Sequence, residues 1–358
     1  MNKYFSIILA GAMAIGLAGC GSSSKETADS GGSAPKPTPG TPSTGKKLKI
    51  GVVFDSGGRG DKSFNDSAWA GIERAQKEFG IEALPIESKT EKDYETNQST
   101  LAESGADLII AVGLNQETAL KKVSAAFPNS KFAIVDGSVD AKNVRMLKFN
   151  EEEGSFLAGY LAGLVTTTNK IGFVGGMDIP LIAKFQYGYM AGAMLANPKI
   201  EILPAKFTGN WDDSQKGKAS ANILFSSGAD IVYHAAGRAG QGVITAAKEA
   251  NKYAIGVDSN QDDIAPGNVL TSMLKRVDEA VYATIKDLVE GKYAPGEVKY
   301  TLAQNGVGLS DMVHTKDKIG ADKIAALEPI KQKIIAGEIK VPSTLAEFET
   351  FKQAQVKP

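Results

Sequence analysis

Apolar positions in this chain fall into short blocks that alternate between two periods. Leu48-Lys49-Ile50-Gly51-Val52-Val53-Phe54 is a β-rich run that stops at Asp55. Over 67–79, Trp69, Ile72, Ala75 and Phe79 recur at three- and four-residue steps, which predicts a helix. Ala83-Leu84-Pro85-Ile86-Glu87 reads as a strand at a sheet edge, because its proline has no N–H for a ladder. A helix over 94–104 stops at Gly105; a buried strand follows over 107–112, then a helix over 116–126 and a strand over 131–136. Strands that alternate with helices imply βαβ units and a parallel sheet.

The pattern then restarts. A helix over 154–166 with small residues on one face leads into Lys170-Ile171-Gly172-Phe173-Val174-Gly175, a strand like the first. Helices over 183–195, 214–226 and 241–251 separate strands over 201–207, 230–234, 253–257 and 269–273. Ser104-Gly105-Ala106-Asp107-Leu108-Ile109-Ile110 is echoed by Ser227-Gly228-Ala229-Asp230-Ile231-Val232-Tyr233. Two copies point to two lobes of similar topology rather than a solenoid. Residues 275–290 are helical again. The expected division is an N-terminal lobe of 46–150 plus about 275–305, and a C-terminal lobe of 151–274 plus about 306–358, which ends in helices and a final strand. Such a chain crosses between lobes near Asn150, near Lys275 and again over 304–309. Several crossings make a hinge, and a small ligand is expected between the lobes at the C-terminal ends of the strands.

The first 45 residues follow neither period. Lys3 is followed by an apolar run over 5–17 of signal-peptide length, then by Leu17-Ala18-Gly19-Cys20 and a tract of Gly, Ser, Pro and Thr to Gly45. The small residues before Cys20 resemble the bacterial lipobox, in which the cysteine becomes the lipid-carrying N-terminus. The expectation is a signal peptide over 1–19, a lipidated Cys20, and a flexible tether over 20–45 on the extracytoplasmic face of a cell membrane. Cys20 is the single cysteine, so the body has no thiol for a disulfide or a zinc–thiolate site. Two histidines leave little material for a Ser-His-Asp triad or a multi-histidine metal site. A net charge of −1 gives no reason to expect a nucleic-acid partner. No cofactor or metal is expected.

Candidate chemistry sits at the strand ends: Asp55, Gly113, Asp136, Gly175, Gly237, Asp258 and Lys275. Three of these are acids that directly follow apolar strands. Each could accept hydrogen bonds from a ligand, or cap the next turn through backbone N–H groups. The loop over 55–66 is glycine-rich and opens a helix. It lacks the later glycine of G-x-G-x-x-G and has no G-K-S/T, so a phosphate cradle is poorly supported. Phe64-Asn65 offers an apolar ring for a flat ligand beside an amide able to donate and accept; the alternative is a hydrophobic staple with a cap.

Asp61-Lys62-Ser63-Phe64-Asn65, with Gly51-Val52-Val53-Phe54-Asp55 before it, resembles the opening motif of the basic membrane protein family. Ile134-Val135-Asp136, Phe149-Asn150-Glu151-Glu152-Glu153-Gly154-Ser155-Phe156-Leu157-Ala158-Gly159, Gly172-Phe173-Val174-Gly175-Gly176 and Gly256-Val257-Asp258 extend the likeness over most of 46–309. Members are lipid-anchored substrate-binding receptors of ABC importers and include purine nucleoside receptors. The resemblance implies an α/β, two-lobed type I periplasmic-binding-protein fold. It implies that Phe64 and Phe185 sandwich a nucleoside base, and that Asn65 and Asp136 bond to its edge. Asp258, Lys275 and the backbone at Gly237 then hold the ribose, with Asp55 at the same mouth. Expected partners are a purine nucleoside, an ABC importer permease and, through the lipid, a membrane; a monomer is expected. The alternatives are a receptor for riboflavin or another small molecule, a nucleoside-processing enzyme with Asp136 or Asp258 as base, and a sensor or adhesion lipoprotein. Trp211 reads as a lid aromatic, an interlobe contact or core. Arg59 lies in a loop longer than that of many relatives, and touches either ligand or solvent. His234 reads as a strand residue near the cleft.

Overall fold

A computed structural model describes residues 47–356; Cys20 and the segments 1–19 and 20–45 lie outside the described residues. The first lobe is built on a six-stranded sheet. Its strands are β1 (Lys49–Val53), β2 (Glu82–Ile86), β3 (Leu108–Val112), β4 (Phe132–Val135), β5 (Val144–Phe149) and β12 (Gly296–Tyr300). Their spatial order is β12-β5-β4-β3-β1-β2, and every pairing is parallel. Helices α1 (Phe64–Phe79), α2 (Tyr94–Glu103), α3 (Glu117–Ala126) and α8 (Val277–Val289) flank it. Strand β2 does lie at the edge, with Pro85 opposite Val52.

The second lobe has a seven-stranded sheet. Its strands are β6 (Lys170–Gly175), β7 (Glu201–Ile202), β8 (Lys206–Phe207), β9 (Ile231–Ala235), β10 (Tyr253–Asp258), β11 (Val269–Lys275) and β13 (Val307–Leu309). The order is β13-β11-β10-β9-β6-β7, with β8 also on β6. All pairings are parallel except β11 with β13. Helices α4 (Glu151–Val165), α5 (Pro180–Ala196), α6 (Ser214–Ser226) and α7 (Gly240–Glu249) belong to it.

Two expectations need correction, and two strands were missed. The strand expected over 201–207 is two strands, β7 and β8, because Pro204 has no N–H to continue the ladder. Strands β5 and β12 did not register as strands in the sequence pattern. The final strand expected after residue 311 is instead β13, at 307–309; the described residues beyond it hold only helices, of which the last is Leu345–Val356.

The small-residue face of α4 has a steric cause. A Cβ on Gly159 would lie 1.9 Å from the Tyr189 carbonyl oxygen, and one on Gly192 would lie 2.0 Å from that of Phe156. The backbones of α4 and α5 therefore touch, and both helices are almost wholly buried on that side. Gly159→Val is expected to push these helices apart and destabilise the fold by about 3 kcal/mol or more, since overpacking against backbone has no rotamer escape. A lowered denaturant midpoint at constant m-value would report it.

The chain passes between the sheets after β5, after β11 and after β12. The three crossings lie side by side. Asn150 N donates to Tyr300 O at 3.1 Å, Arg276 N to Gly306 O at 2.9 Å, and Leu302 N to Glu153 Oε2 at 2.7 Å. Helix α8 returns to the first lobe and packs so tightly on α1 that a Cβ on Gly71 would meet the Asp278 carbonyl at 2.3 Å. Residues on both sides of each crossing are thus tied by backbone and side-chain hydrogen bonds.

Candidate functional site

The C-terminal ends of β1, β3 and β4 face those of β9, β10 and β11 across a cavity. Asp55, Phe64, Asn65, Asp136, Phe185, Gly237, Asp258 and Lys275 all line it, so the structure brings together every binding residue expected from the sequence. Phe64 opens α1, Phe185 lies in the second turn of α5, and both rings stand within 5.5 Å of the Lys275 Nζ. The two rings therefore share one chamber.

Two of the acids are held in an uncommon backbone geometry. Asp136 has φ 67°, one step past β4, and Asp258 has φ 65° as the last residue of β10. A left-handed non-glycine residue costs on the order of 1 kcal/mol, and such strain persists where neighbours fix it. Here the turn aims each carboxylate into the cavity instead of along the sheet. Gly113 has φ 111°, a backbone conformation that favours glycine, and a Cβ there would only reach ordinary contact with Asp55 at 3.4 Å and the Phe64 ring at 3.7 Å.

One cation organises the floor. Lys275 is 1% exposed; its Nζ lies 2.7 Å from Asp136 Oδ2 and 3.0 Å from Glu151 Oε1. Burial alone would lower the Lys275 ammonium, but Asp136, Glu151 and Asp258 outweigh that and hold it above its usual value. Burial raises Asp136 against the pull of Lys275. Burial would also raise Glu151, yet Lys275 and Lys184 together hold it below the usual carboxylate range. Asp258 is pushed up to about 7 by burial, opposed by Lys275 and by the Ser63 hydroxyl that donates to Oδ2 at 2.5 Å. Asp55 is pushed up to about 6 by burial, opposed by the Asn65 amide.

Side chains of the second lobe close over the 57–63 loop of the first. Arg238 Nη2 donates to Gly57 O and Arg59 O, each at 2.9 Å. Gln241 Nε2 donates to Asp61 O at 2.8 Å, Gln261 Nε2 to Lys62 O at 2.9 Å, and Ser259 Oγ to Ser63 O at 3.1 Å. The lobes are shut. Nothing in the sequence marked these residues, apart from the position of Arg238 directly after Gly237. Trp211 lines the cavity with its ring flat enough on Gly176 that a Cβ there would sit 2.3 Å from it. It also packs against the hydrophobic core. Arg59 turns away from the cavity, ion-pairs with Glu87 at 2.6 Å and lies over the Trp69 ring at 4.7 Å. His234 lies beneath the cleft on Gln261; burial pushes it down to about 4, so it is neutral near pH 7. Among the described residues no group of His, Cys, Asp or Glu could hold a metal ion.

Residues 47–344 match the family described as ABC transporter substrate-binding protein PnrA-like. The chain belongs to this PnrA-like substrate-binding family. It is 35% identical over 319 residues to the ABC transporter nucleoside-binding protein BmpA of Lactococcus lactis, covering 83% of this chain and 89% of that one. It is 37% identical over 289 residues to an uncharacterised lipoprotein of Pyrococcus abyssi, covering 76% and 71%. A crystal structure of an ABC transporter solute-binding protein from Aeropyrum pernix matches with a TM-score of 0.77 and 31% identity, over 86% of this chain and 98% of that one. As a PnrA-like protein the chain binds a small molecule for a transporter permease, and the family is one of binding proteins, not of enzymes.

Proposed function

We propose that this protein is a lipid-anchored receptor that captures a purine nucleoside between its lobes and delivers it to an ABC importer. The observation that carries the reading is the make-up of one chamber: two phenyl rings, an amide, several carboxylates and a buried lysine all line it. Phe64 and Phe185 stack on the base, Asn65 and Asp136 bond to its edge, and Asp258, Lys275 and the Gly237 backbone take the ribose hydroxyls, with Asp55 at the mouth. The nucleoside-binding name of the Lactococcus relative supports the choice of ligand. Cys20 carries the lipid and 21–45 forms the tether, a reading supported by the Leu17-Ala18-Gly19-Cys20 motif and by the lipoprotein name of the Pyrococcus relative. Because both lobes contribute contacts, the ligand favours the shut state by its differential affinity for it.

Calorimetry with adenosine, guanosine, inosine, uridine and riboflavin tests this. Purine nucleosides are expected to bind and riboflavin is not; riboflavin binding alone overturns the assignment. The pH dependence has a definite sign. A ribose hydroxyl donates to ionised Asp258, whose ligand-free carboxyl titrates near 7, so affinity falls as pH drops. One such group gives roughly tenfold weaker binding at pH 6 than at pH 8. Incubation with inosine is expected to release no free base.

A further inference from the structure

We propose that Asp61 is a positioning residue that turns the Asn65 amide so that the base edge of the site only accepts hydrogen bonds, which selects nucleosides whose six-membered ring carries an N–H donor. This rests on the nucleoside reading above and deepens it. Asn65 is 2% exposed, and its Nδ2 donates to Asp55 Oδ1 at 2.9 Å and to Asp61 Oδ2 at 3.0 Å. Both amide hydrogens are thereby used. Ionised carboxylates only accept, so reversing the amide would set its oxygen against two carboxylate oxygens. The orientation is fixed by chemistry, and Asn65 Oδ1 is left buried without a partner. Asp136 repeats the situation. Its Oδ2 takes the Lys275 ammonium at 2.7 Å, while its Oδ1 is buried and unpartnered.

Asn65 and Asp136 both line the cavity. Two unsatisfied buried acceptors, on different lobe elements but in one chamber, are uncommon in a finished interior and are costly unless something donates to them. A ligand that brings N–H groups satisfies them; one that presents only ring nitrogens there faces acceptor against acceptor. Asp61 is itself rigid. It is 1% exposed, and its carboxylate accepts from the backbone N–H of Ser63 at 2.9 Å, of Asn65 at 2.8 Å and of Asp66 at 3.1 Å, at the start of α1. The device is therefore an acid anchored on a helix start that holds an amide in one of its two orientations.

The test compares inosine and adenosine with purine riboside, which has the same sugar and ring system but no N–H on the base. At pH 8, purine riboside is expected to bind at least tenfold more weakly than either. In Asp61→Asn, only Asp55 still holds the Asn65 amide, its orientation is no longer fixed from two sides, and the ratio of purine riboside to inosine dissociation constants should fall toward one. A loosened loop would weaken all three ligands and leave that ratio unchanged, so an unchanged ratio in the variant overturns the role of Asp61. Equal binding of purine riboside and inosine by the native protein overturns the donor rule even if the variant fails to fold. Failure of all three to bind overturns the nucleoside reading, and the donor rule falls with it.

Discussion

Replacing Lys275 by methionine is expected to destabilise the protein by about 3–5 kcal/mol, the cost of stranding buried charges. The side chain is fully enclosed, and its ammonium is shared by Asp136 and Glu151. Methionine fills much of the same space, so the loss is electrostatic and not a cavity effect. Glu151 keeps Lys184, but Asp136 loses its direct ion pair. The variant also carries a signature in pH. Without Lys275, the Asp136 carboxyl rises further above its unfolded value near 3.8. A group with a raised folded pKa stabilises below the unfolded pKa and loses that contribution as pH rises through the folded one. The deficit of Lys275→Met relative to the native protein should therefore be small at pH 4 and largest above pH 7. Denaturant midpoints across that range would show it; a deficit independent of pH would mean that Lys275 contributes packing and no charge. Nucleoside affinity should fall at least a hundredfold, because the same lysine supports the carboxylate that faces the base.

Much of this site was legible in the sequence because strand ends are legible. An apolar run that stops at an acid fixes both the strand and the place where its last side chain turns outward, and Asp55, Asp136 and Asp258 each follow such a run. What escaped was whatever depends on partners distant in sequence. Strand β5 reads as Val-Arg-Met-Leu-Lys-Phe, and two cations argue against a buried strand. Its Arg145 is nevertheless buried, with Asp287 at 2.7 Å and the Ala294 carbonyl at 2.8 Å, and Lys148 reaches the Asp136 carbonyl. Asp287 and Ala294 follow it by more than a hundred residues, and Asp136 lies just past the neighbouring strand β4. Strand β12 is an edge with alternating exposure and little apolar content. The Asn65 amide is the sharper case. Composition says that it donates and accepts; only the arrival of two carboxylates from the same loop removes the donor half.

Phe64→Ala and Asp258→Asn are each expected to weaken nucleoside binding at least tenfold, about 1.4 kcal/mol, for separable reasons. Phe64 lines the chamber through its ring alone, so truncation removes a stacking face worth on the order of 1–3 kcal/mol and leaves the polar contacts intact. Its loss should be similar at every pH. At Asp258, alanine would confound two effects, since a residue at φ 65° without a polar side chain adds backbone strain to the missing carboxylate. Asparagine tolerates that conformation and can keep its oxygen toward the Ser63 hydroxyl, so it isolates the charge. The native protein binds more tightly as Asp258 ionises near pH 7, whereas Asp258→Asn has nothing to titrate there. Its residual pH dependence should move down toward the titration of Asp55 near 6. Affinity profiles from pH 5 to pH 8.5 for the native protein and the two variants would distinguish these outcomes. A native-like midpoint near 7 in Asp258→Asn would take the ribose away from Asp258.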